Sequence, residues 1–433
     1  MNRVAFATLG CKTNQYETDA LMDLFYKNRF DIVSFDDLAD IYIINTCTVT
    51  HVGDKKSRQM IRRAKKNNPE SIVVVMGCYA QISTEEVSEI KEVDIVVGTD
   101  ARGKILDYIH DYIEGKHKKP YVIVEDIMNI NIFENMSLDS VATHTRAFVK
   151  IQEGCNQYCS YCIIPYARGH VRSRSPENVV DEIVRLTEKG YKEFVLTGIH
   201  IGSYGLDLEN IGLMDLVEAI HEVDGVERIR LGSIEPRLIT DAFADRIKNL
   251  PKICDHFHLS LQSGSDSILK RMNRKYTTEQ FEAAVGKLRA IYPSPSITTD
   301  IIVGFPGETD EEFTETYEFV KKIHFSEMHI FPFSKREGTP AATMPNQVPA
   351  QTKKKRAEVL SELEITCRTD YINQFENEIS EVLVEEIKNG LYIGHTKNYL
   401  KVHLKSEKTL KLGEIYPIRL KKIASNQLFG EFI

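Results

Sequence analysis

Short runs of β-branched and other apolar residues recur along the first hundred positions, each followed by a turn and then by a stretch with helical spacing: Val4 to Leu9, Ile41 to Ile44, Ile72 to Met76, and Asp94 to Val97. Strands alternating with helices predict a parallel sheet with right-handed crossovers, in which the carboxyl ends of the strands lie along one edge. From about Gly115 to Thr145 the pattern loosens into Lys- and Asn-rich sequence, with His117-Lys118-Lys119-Pro120 as a linker signal and Tyr121 to Val124 as a short strand. Six strand-and-helix units follow, with strands at Phe148 to Gln152, Phe194 to Thr197, Ile229 to Ser233, Phe257 to Leu261, Ile297 to Val303 and Met328 to Phe331. Ser175-Pro176-Glu177 and the capping box Thr309-Asp310-Glu311-Glu312 mark helix starts among them. Six units fall short of the eight that close a complete barrel, so an open, partial (βα)6 barrel is expected. A helix from Lys353 through Tyr371 and Phe375 packs on it, and from Ile379 five short strands split by turns predict a small barrel of oligonucleotide-binding type. The expected class is α/β, with a parallel-sheet domain over 1–115, the partial barrel over 141–370 and the small β-barrel over 373–433.

Composition narrows this picture only a little. With 433 residues, 42% hydrophobic and 27% charged, the chain reads as an ordinary multidomain globular protein. No apolar run approaches the ~18 residues of a membrane span, and Met1-Asn2-Arg3 opens no signal-peptide core, so a cytoplasmic protein without membrane association is expected. A net charge of -8 opposes a protein that coats nucleic acid over its whole surface. Residues 379–433 nevertheless carry nine Lys and Arg against six Asp and Glu. There Tyr392, His395 and Tyr399 interleave with Lys397, Lys401, Lys405, Lys421 and Lys422, the pattern of a groove for phosphate backbone and stacked bases.

Cysteine placement changes the picture most. Eight Cys in a reducing compartment argue for metal or redox chemistry over disulfides. Cys155, Cys159 and Cys162 form CxxxCxxC on a loop after the first barrel strand, at the end where such barrels place active sites. Structural zinc wants four closed ligands, and no second CxxC follows at finger distance. A four-iron four-sulfur cluster with one iron open to a ligand fits three thiolates better. Cys11, Cys47 and Cys78 each follow a predicted strand, with gaps of 36 and 31 residues, about one βαβ period each. The shared sheet edge brings them together as a second three-thiolate site. Cys254 and Cys367 stand outside both sets and read as packing residues.

Other predicted strand ends carry small and hydrogen-bonding residues: Thr197-Gly198, Ser233 with Glu235, and Gln262. They suit a zwitterionic nucleoside, with glycine admitting close backbone approach and Glu235 and Gln262 meeting an ammonium or ribose hydroxyls. A Gly-Pro-Gly loop follows Asp300-Ile301-Ile302-Val303.

CxxxCxxC with the aromatic Tyr161 before its last Cys is the signature of radical S-adenosylmethionine (SAM) enzymes. With Thr8-Leu9-Gly10-Cys11-Lys12-Thr13-Asn14-Gln15-Tyr16-Glu17-Thr18, Asn45-Thr46-Cys47-Thr48-Val49, Gly77-Cys78, Glu153 to Gly169 and Val171-Arg172-Ser173-Arg174-Ser175, the chain resembles the radical SAM methylthiotransferases over essentially its whole length. Its first motif is most similar to the branch acting on N6-threonylcarbamoyladenosine beside the tRNA anticodon. The resemblance implies two 4Fe-4S clusters, held by Cys11, Cys47 and Cys78 and by Cys155, Cys159 and Cys162. It implies a terminal TRAM domain that grips the tRNA anticodon stem-loop, and an electron donor protein. It also implies thiomethylation at adenine carbon 2, whose unactivated C–H bond calls for a radical derived from SAM, while the cofactors carry the hard chemistry. The threonylcarbamoyl carboxylate calls for a fixed cation, with Lys12, Arg168, Arg172 and Arg174 as candidates. Alternatives are thiomethylation of isopentenyladenosine tRNA or of a ribosomal protein, and, in a different class, a nonenzymatic zinc-dependent RNA-binding protein.

Overall fold

A computed structural model describes residues 2–139, 145–423 and 427–433. The start expected at 141 for the central domain lies outside them. Six parallel strands form the amino-terminal sheet: β1 (Arg3–Thr8), β2 (Asp31–Val33), β3 (Ile41–Thr46), β4 (Ile72–Gly77), β5 (Ile95–Val97) and β6 (Tyr121–Ile123), in the order β2-β1-β3-β4-β5-β6. β6 pairs with β5 beyond the boundary expected at 115, because Val96 and Val97 leave an open ladder edge that Val122 and Ile123 fill. The order reverses between β1 and β3, and in open α/β sheets the crevice at such a switch point is where ligands bind.

Alternate residues of the central strands serve two cores. Ala5, Tyr42, Ile44, Val73 and Val75 pack under helix α2 (His51–Asn67), which turns Ile61 and Ala64 inward. Val4, Ile41, Ile43 and Val74 join Leu21 and Phe25 of helix α1 (Lys12–Lys27) in a core continuous with that of the central domain. Such all-apolar strands are the mark of a parallel sheet covered on both faces. Helix α3 begins at Cys78 itself and runs to Ile82.

The central domain opens with β7 (Ala147–Lys150). A short antiparallel ribbon, β8 (Gln152–Glu153) with β9 (Arg172–Ser173), then flanks the CxxxCxxC loop. The strands β10 (Glu193–Thr197), β11 (Arg228–Leu231), β12 (His256–His258), β13 (Ser296–Val303) and β14 (Glu327–Pro332) complete six parallel staves. They form two three-stranded sheets, β7-β10-β11 and β12-β13-β14, joined by single parallel bridges at Ile229–Ile253 and Ile234–Leu259. The expected open (βα)6 barrel is what forms.

Helix Ala350–Asn373 crosses back over β14 and buries Cys367. The strands β15 (Ile379–Lys388), β16 (Leu391–Thr396), β17 (Lys401–Leu404), β18 (Ile415–Ile423) and β19 (Gln427–Phe432) then close a five-stranded barrel. Among the described residues no helix is long and apolar enough to cross a membrane.

Candidate active site between two cysteine loops

Cys11, Cys47 and Cys78 emerge from the carboxyl ends of β1, β3 and β4, around the switch point of the sheet. Gly10 holds φ +111°, and a Cβ there would lie 2.9 Å from Cys47 Cβ, so only glycine lets these two loops meet. Cys11 is exposed, Cys47 half-buried and Cys78 buried, a gradient from solvent into the domain interface. Burial raises the Cys47 thiol and pushes Cys78 up to about 12, and each thiol feels the charge of the others. Cys47 and Cys78 thus favour the thiol, and a metal would take them up as thiolates with release of protons.

What holds this trio against the barrel is Arg168, six residues beyond Cys162. Its Nε donates to Cys78 Sγ at 3.1 Å and its Nη2 to Asn14 Oδ1 at 2.7 Å, while that same Oδ1 lies 3.6 Å from Cys11 Sγ. Its Nη1 bonds Glu17 and Glu153. Around these carboxylates Arg102 Nη1 reaches Glu17 at 2.6 Å, and Lys150 Nζ reaches Glu17 at 2.9 Å and also pairs with Glu153. Burial alone would raise both carboxyls. Arg102, Arg168 and Lys150 overcome it and hold Glu17 well below the usual range, and Arg168 and Lys150 bring Glu153 to about 2. A buried network of this kind is costly unless every member is paired, and then it fixes one geometry.

The second trio sits on the loop after β8. Gly154 holds φ +71° and its absent Cβ would fall 1.8 Å from the His170 carbonyl oxygen, which accounts for the glycine before Cys155. Asn273 Nδ2 donates to the Tyr158 carbonyl at 2.8 Å and Ser160 Oγ to that of Arg271 at 2.8 Å, so the loop is anchored from across the barrel. Arg274 Nη1 lies 3.2 Å from Cys159 Sγ, and its Nη2 3.7 Å from Glu235 Oε1. Burial pushes the Cys155 thiol to about 11 and that of Cys162 to about 12, against backbone N–H bonds from Gln157 and Ile164 that lower them. Hydrogen bonds to the sulfurs and a fixed cation are the surroundings that tune iron–sulfur clusters, so the donor set fits one.

Among the described residues, His258, Asp300 and His329 each place one ligating atom within 4.8 Å of the others.

A cavity of about 310 Å³ lies between the loops, lined by Val49 and Thr50 beyond Cys47 and by Tyr161, Cys162, Gln262 and Asp300 of the barrel. Gln262 holds φ +70° at its wall. Ser233 Oγ shares a 2.9 Å hydrogen bond with Ser260 Oγ, and Glu235 accepts from Arg237 at 2.8 Å. Thr197 is buried and its carbonyl accepts from the Ile151 N–H at 2.9 Å, while Gly198 abuts Gln152. These two shape the barrel floor through backbone, without a side chain on the cavity wall.

The four candidate cations fare differently. Arg168, Arg172 and Arg174 are buried and committed: Arg172 donates to the carbonyls of Ile130 at 3.0 Å and Arg168 at 3.1 Å, and Arg174 to Glu182 at 2.8 Å and Asn135 at 3.0 Å. Internal acceptors already hold the fork geometry of these three, which leaves Lys12 of the four as the uncommitted cation. Lys12 is exposed and has no ion-pair partner among the described residues. A correction concerns the terminal barrel. Tyr399 is stacked between His256 and His395, both at 4.7 Å, with Arg230 4.7 Å from its ring centre, and Tyr392 Oη accepts the Leu410 N–H at 3.1 Å. Tyr399 docks the barrel onto the central domain instead of offering its faces to bases, and Tyr392 is tied within the barrel itself, although Lys401 and Lys405 remain exposed; the side chain of Lys422 lies outside the described residues. Cys254 and Cys367 are buried packing residues, as expected. Sequence reasoning gave no part to Arg274, Asn14, Glu17 or Glu153. Their signal was only that they flank the cysteine motifs in space, or, for the last three, in sequence.

An open six-stave parallel barrel with CxxxCxxC at the carboxyl end of its first stave defines a radical SAM enzyme. Residues 149–320 match the radical SAM superfamily, and residues 3–98 match an uncharacterized protein family, UPF0004. Threonylcarbamoyladenosine tRNA methylthiotransferase MtaB of Bacillus subtilis is 46% identical over 100% of this chain and 97% of its own length, and that of Aquifex aeolicus 43% over 92% and 96%. The tRNA-2-methylthio-N(6)-dimethylallyladenosine synthase of Natranaerobius thermophilus is 36% identical over 98% and 95%. In fold, the radical SAM methyltransferase TsrM of Kitasatospora setae is similar with a TM-score of 0.58 at 16% identity, covering 79% of this chain and 77% of that one. The chain belongs to the radical SAM methylthiotransferase family, and SAM and a 4Fe-4S cluster are its cofactors.

Proposed function

We propose that the protein converts N6-threonylcarbamoyladenosine at tRNA position 37, in the anticodon stem-loop, to its 2-methylthio derivative. The single observation that carries this reading is that the loop after Cys47 and the CxxxCxxC loop border one cavity, while Arg168, just beyond the second, is bonded to Cys78 and, through Asn14, to the Cys11 loop. Relatives carrying that activity in their names span the whole chain, which supports the same substrate.

In this reading Cys155, Cys159 and Cys162 hold one cluster, and Cys11, Cys47 and Cys78 hold a second. When bound, the first supplies the electron that opens SAM and the second the sulfur that is transferred. The chain's own part is placement. Arg274 keeps its guanidinium on Cys159 and Tyr276 and so fixes the cluster loop, while Glu235, Ser233 and Gln262 accept from or donate to the SAM ammonium and ribose hydroxyls. Arg168 and Asn14 keep Cys78 and Cys11 facing the barrel. Lys12 reads the threonylcarbamoyl carboxylate: consecutive Cα atoms lie about 3.8 Å apart, so it stands beside Cys11, and a substituent on adenine N6 projects from the same ring as carbon 2.

Nucleosides from tRNA of a strain lacking the gene test this by mass spectrometry. The 2-methylthio derivative of threonylcarbamoyladenosine should vanish and return on complementation; loss of the isopentenyl counterpart, or of a thiomethylated ribosomal protein, would replace the reading. Anaerobic wild-type protein should carry about eight irons and Cys47→Ala about four. Equal iron in both would remove the second cluster.

A further inference from the structure

Helix α2 starts at His51, directly after Val49 and Thr50 on the wall of the cavity, and at about 1.5 Å per residue its 17 residues lead some 25 Å away from the mouth. Its sequence holds seven Lys and Arg and one acid. That acid, Asp54, is buried and taken by Arg336 at 2.6 Å and Thr48 at 3.0 Å, so it does not neutralise the outer face. Arg58, Arg63 and Lys65 pair with Glu86, Asp36 and Asp94. The other four, Lys55, Lys56, Arg62 and Lys66, are exposed, and no carboxylate pairs with them among the described residues.

Lys55, Arg62 and Lys66 recur at seven- and four-residue steps, which on a helix is one stripe, opposite the buried Ser57, Ile61 and Ala64. A stripe of uncompensated cations, in a chain of net charge -8, has a repulsive cost that a polyanion removes. The terminal barrel has exposed Lys401 and Lys405 of its own, while its Tyr399 and His395 are spent on docking.

We propose that the exposed cations of α2, Lys55, Arg62 and Lys66 in one stripe with Lys56 beside it, form a docking surface for the RNA phosphate backbone flanking the nucleotide that enters the cavity. The inference rests on the tRNA reading above and adds to it the element that grips the strand. Phosphate contacts position without reading sequence, so the stripe sets where the RNA lies and leaves base choice to the cavity.

The test measures binding of a fluorescent anticodon stem-loop RNA to the cluster-loaded full chain across several salt concentrations. The wild type is compared with the combined variant Lys55→Gln, Lys56→Gln, Arg62→Gln, Lys66→Gln. Each lost phosphate contact lowers the slope of log affinity against log salt by about 0.7 to 0.9, so a drop of roughly three to three and a half is expected for the four, with at least about a tenfold loss of affinity at low salt. The loss should be equal for RNA with and without the N6 substituent. Iron content and melting temperature should stay as in the wild type, since these side chains face solvent; restoring arginine at the four positions should restore the slope. Identical slope and affinity in the variant overturn the inference while leaving the tRNA reading intact. A wild type that binds no RNA overturns both. Unchanged RNA binding with loss of retention on phosphatidylserine vesicles would assign the stripe to a membrane surface instead, and also overturns it.

Discussion

Lys12 and Arg168 show how two cations near the same cysteines come to opposite uses. Arg168 has every arm bound, to Cys78, Asn14, Glu17 and Glu153, and a planar fork is the one side chain that serves four acceptors in fixed directions. Lys12 has no ion pair among the described residues; burial of its ammonium lowers its pKa, and Arg146 and Arg230 lower it further against Tyr399 and Glu193. Lys12→Gln should raise KM about tenfold or more for tRNA bearing threonylcarbamoyladenosine and leave KM unchanged for RNA without that carboxylate, with iron per chain constant. Steady-state kinetics on the two RNAs measure it; equal effects on both would give Lys12 a structural part only.

Elements meet at the amino-terminal ends of the barrel strands, where β10 and β11 receive the terminal barrel. Arg228 donates to the carbonyls of Glu381 and His395, and Arg230 to that of Lys397, while Glu193 holds both guanidiniums at 3.5 and 2.7 Å. Burial would raise the Glu193 carboxyl, but Arg230, Arg146 and Arg228 bring it down to about 2 from its ordinary 4.5. A depressed carboxyl stabilises the dock fully above about 4.5, and that contribution fades as the pH falls from 4.5 towards 2. Hydrogen exchange in β15 and β16 should therefore accelerate in that window. Glu193→Gln should show the fast exchange already at pH 7 and lose about 3 to 5 kcal/mol, the usual result of breaking a buried pair. The ring-and-lysine pattern of residues 392–405 was visible in the sequence, but alternation along a strand does not tell a docking face from an open one. Hence Tyr399 was read as a base platform and is a packing ring.

Across the whole molecule the sheet domain and the barrel share one apolar core and one buried charge network, so neither is finished without the other. Val4, Leu21 and Phe25 belong to the same core as Val149, Phe194 and Leu231. Glu17 keeps Arg102 of its own domain but owes its other two cations, Arg168 and Lys150, to the central domain. Calorimetry of the full chain should show these two domains melting in one transition. Arg168→Gln should cost about 3 to 5 kcal/mol and split that transition, because it strips a charge from buried carboxylates on both sides. A single unshifted transition in the variant would refute the coupling.

The sequence by itself determined the strand-and-helix order, the open barrel, the closed terminal barrel and both cysteine trios. These depend on short-range periodicity and on the rule that parallel strands end along one edge. It missed β2 altogether and read β6 as a strand outside the first sheet, since three-residue edge strands carry too little periodicity to place. Only the tertiary structure decided which cations are spent and which are free: whether Arg168 or Lys12, Lys55 or Lys65, finds a carboxylate depends on partners a hundred or more residues away or on a neighbouring strand. A charge acquires its role from the groups that desolvate and pair it, and those are set by packing.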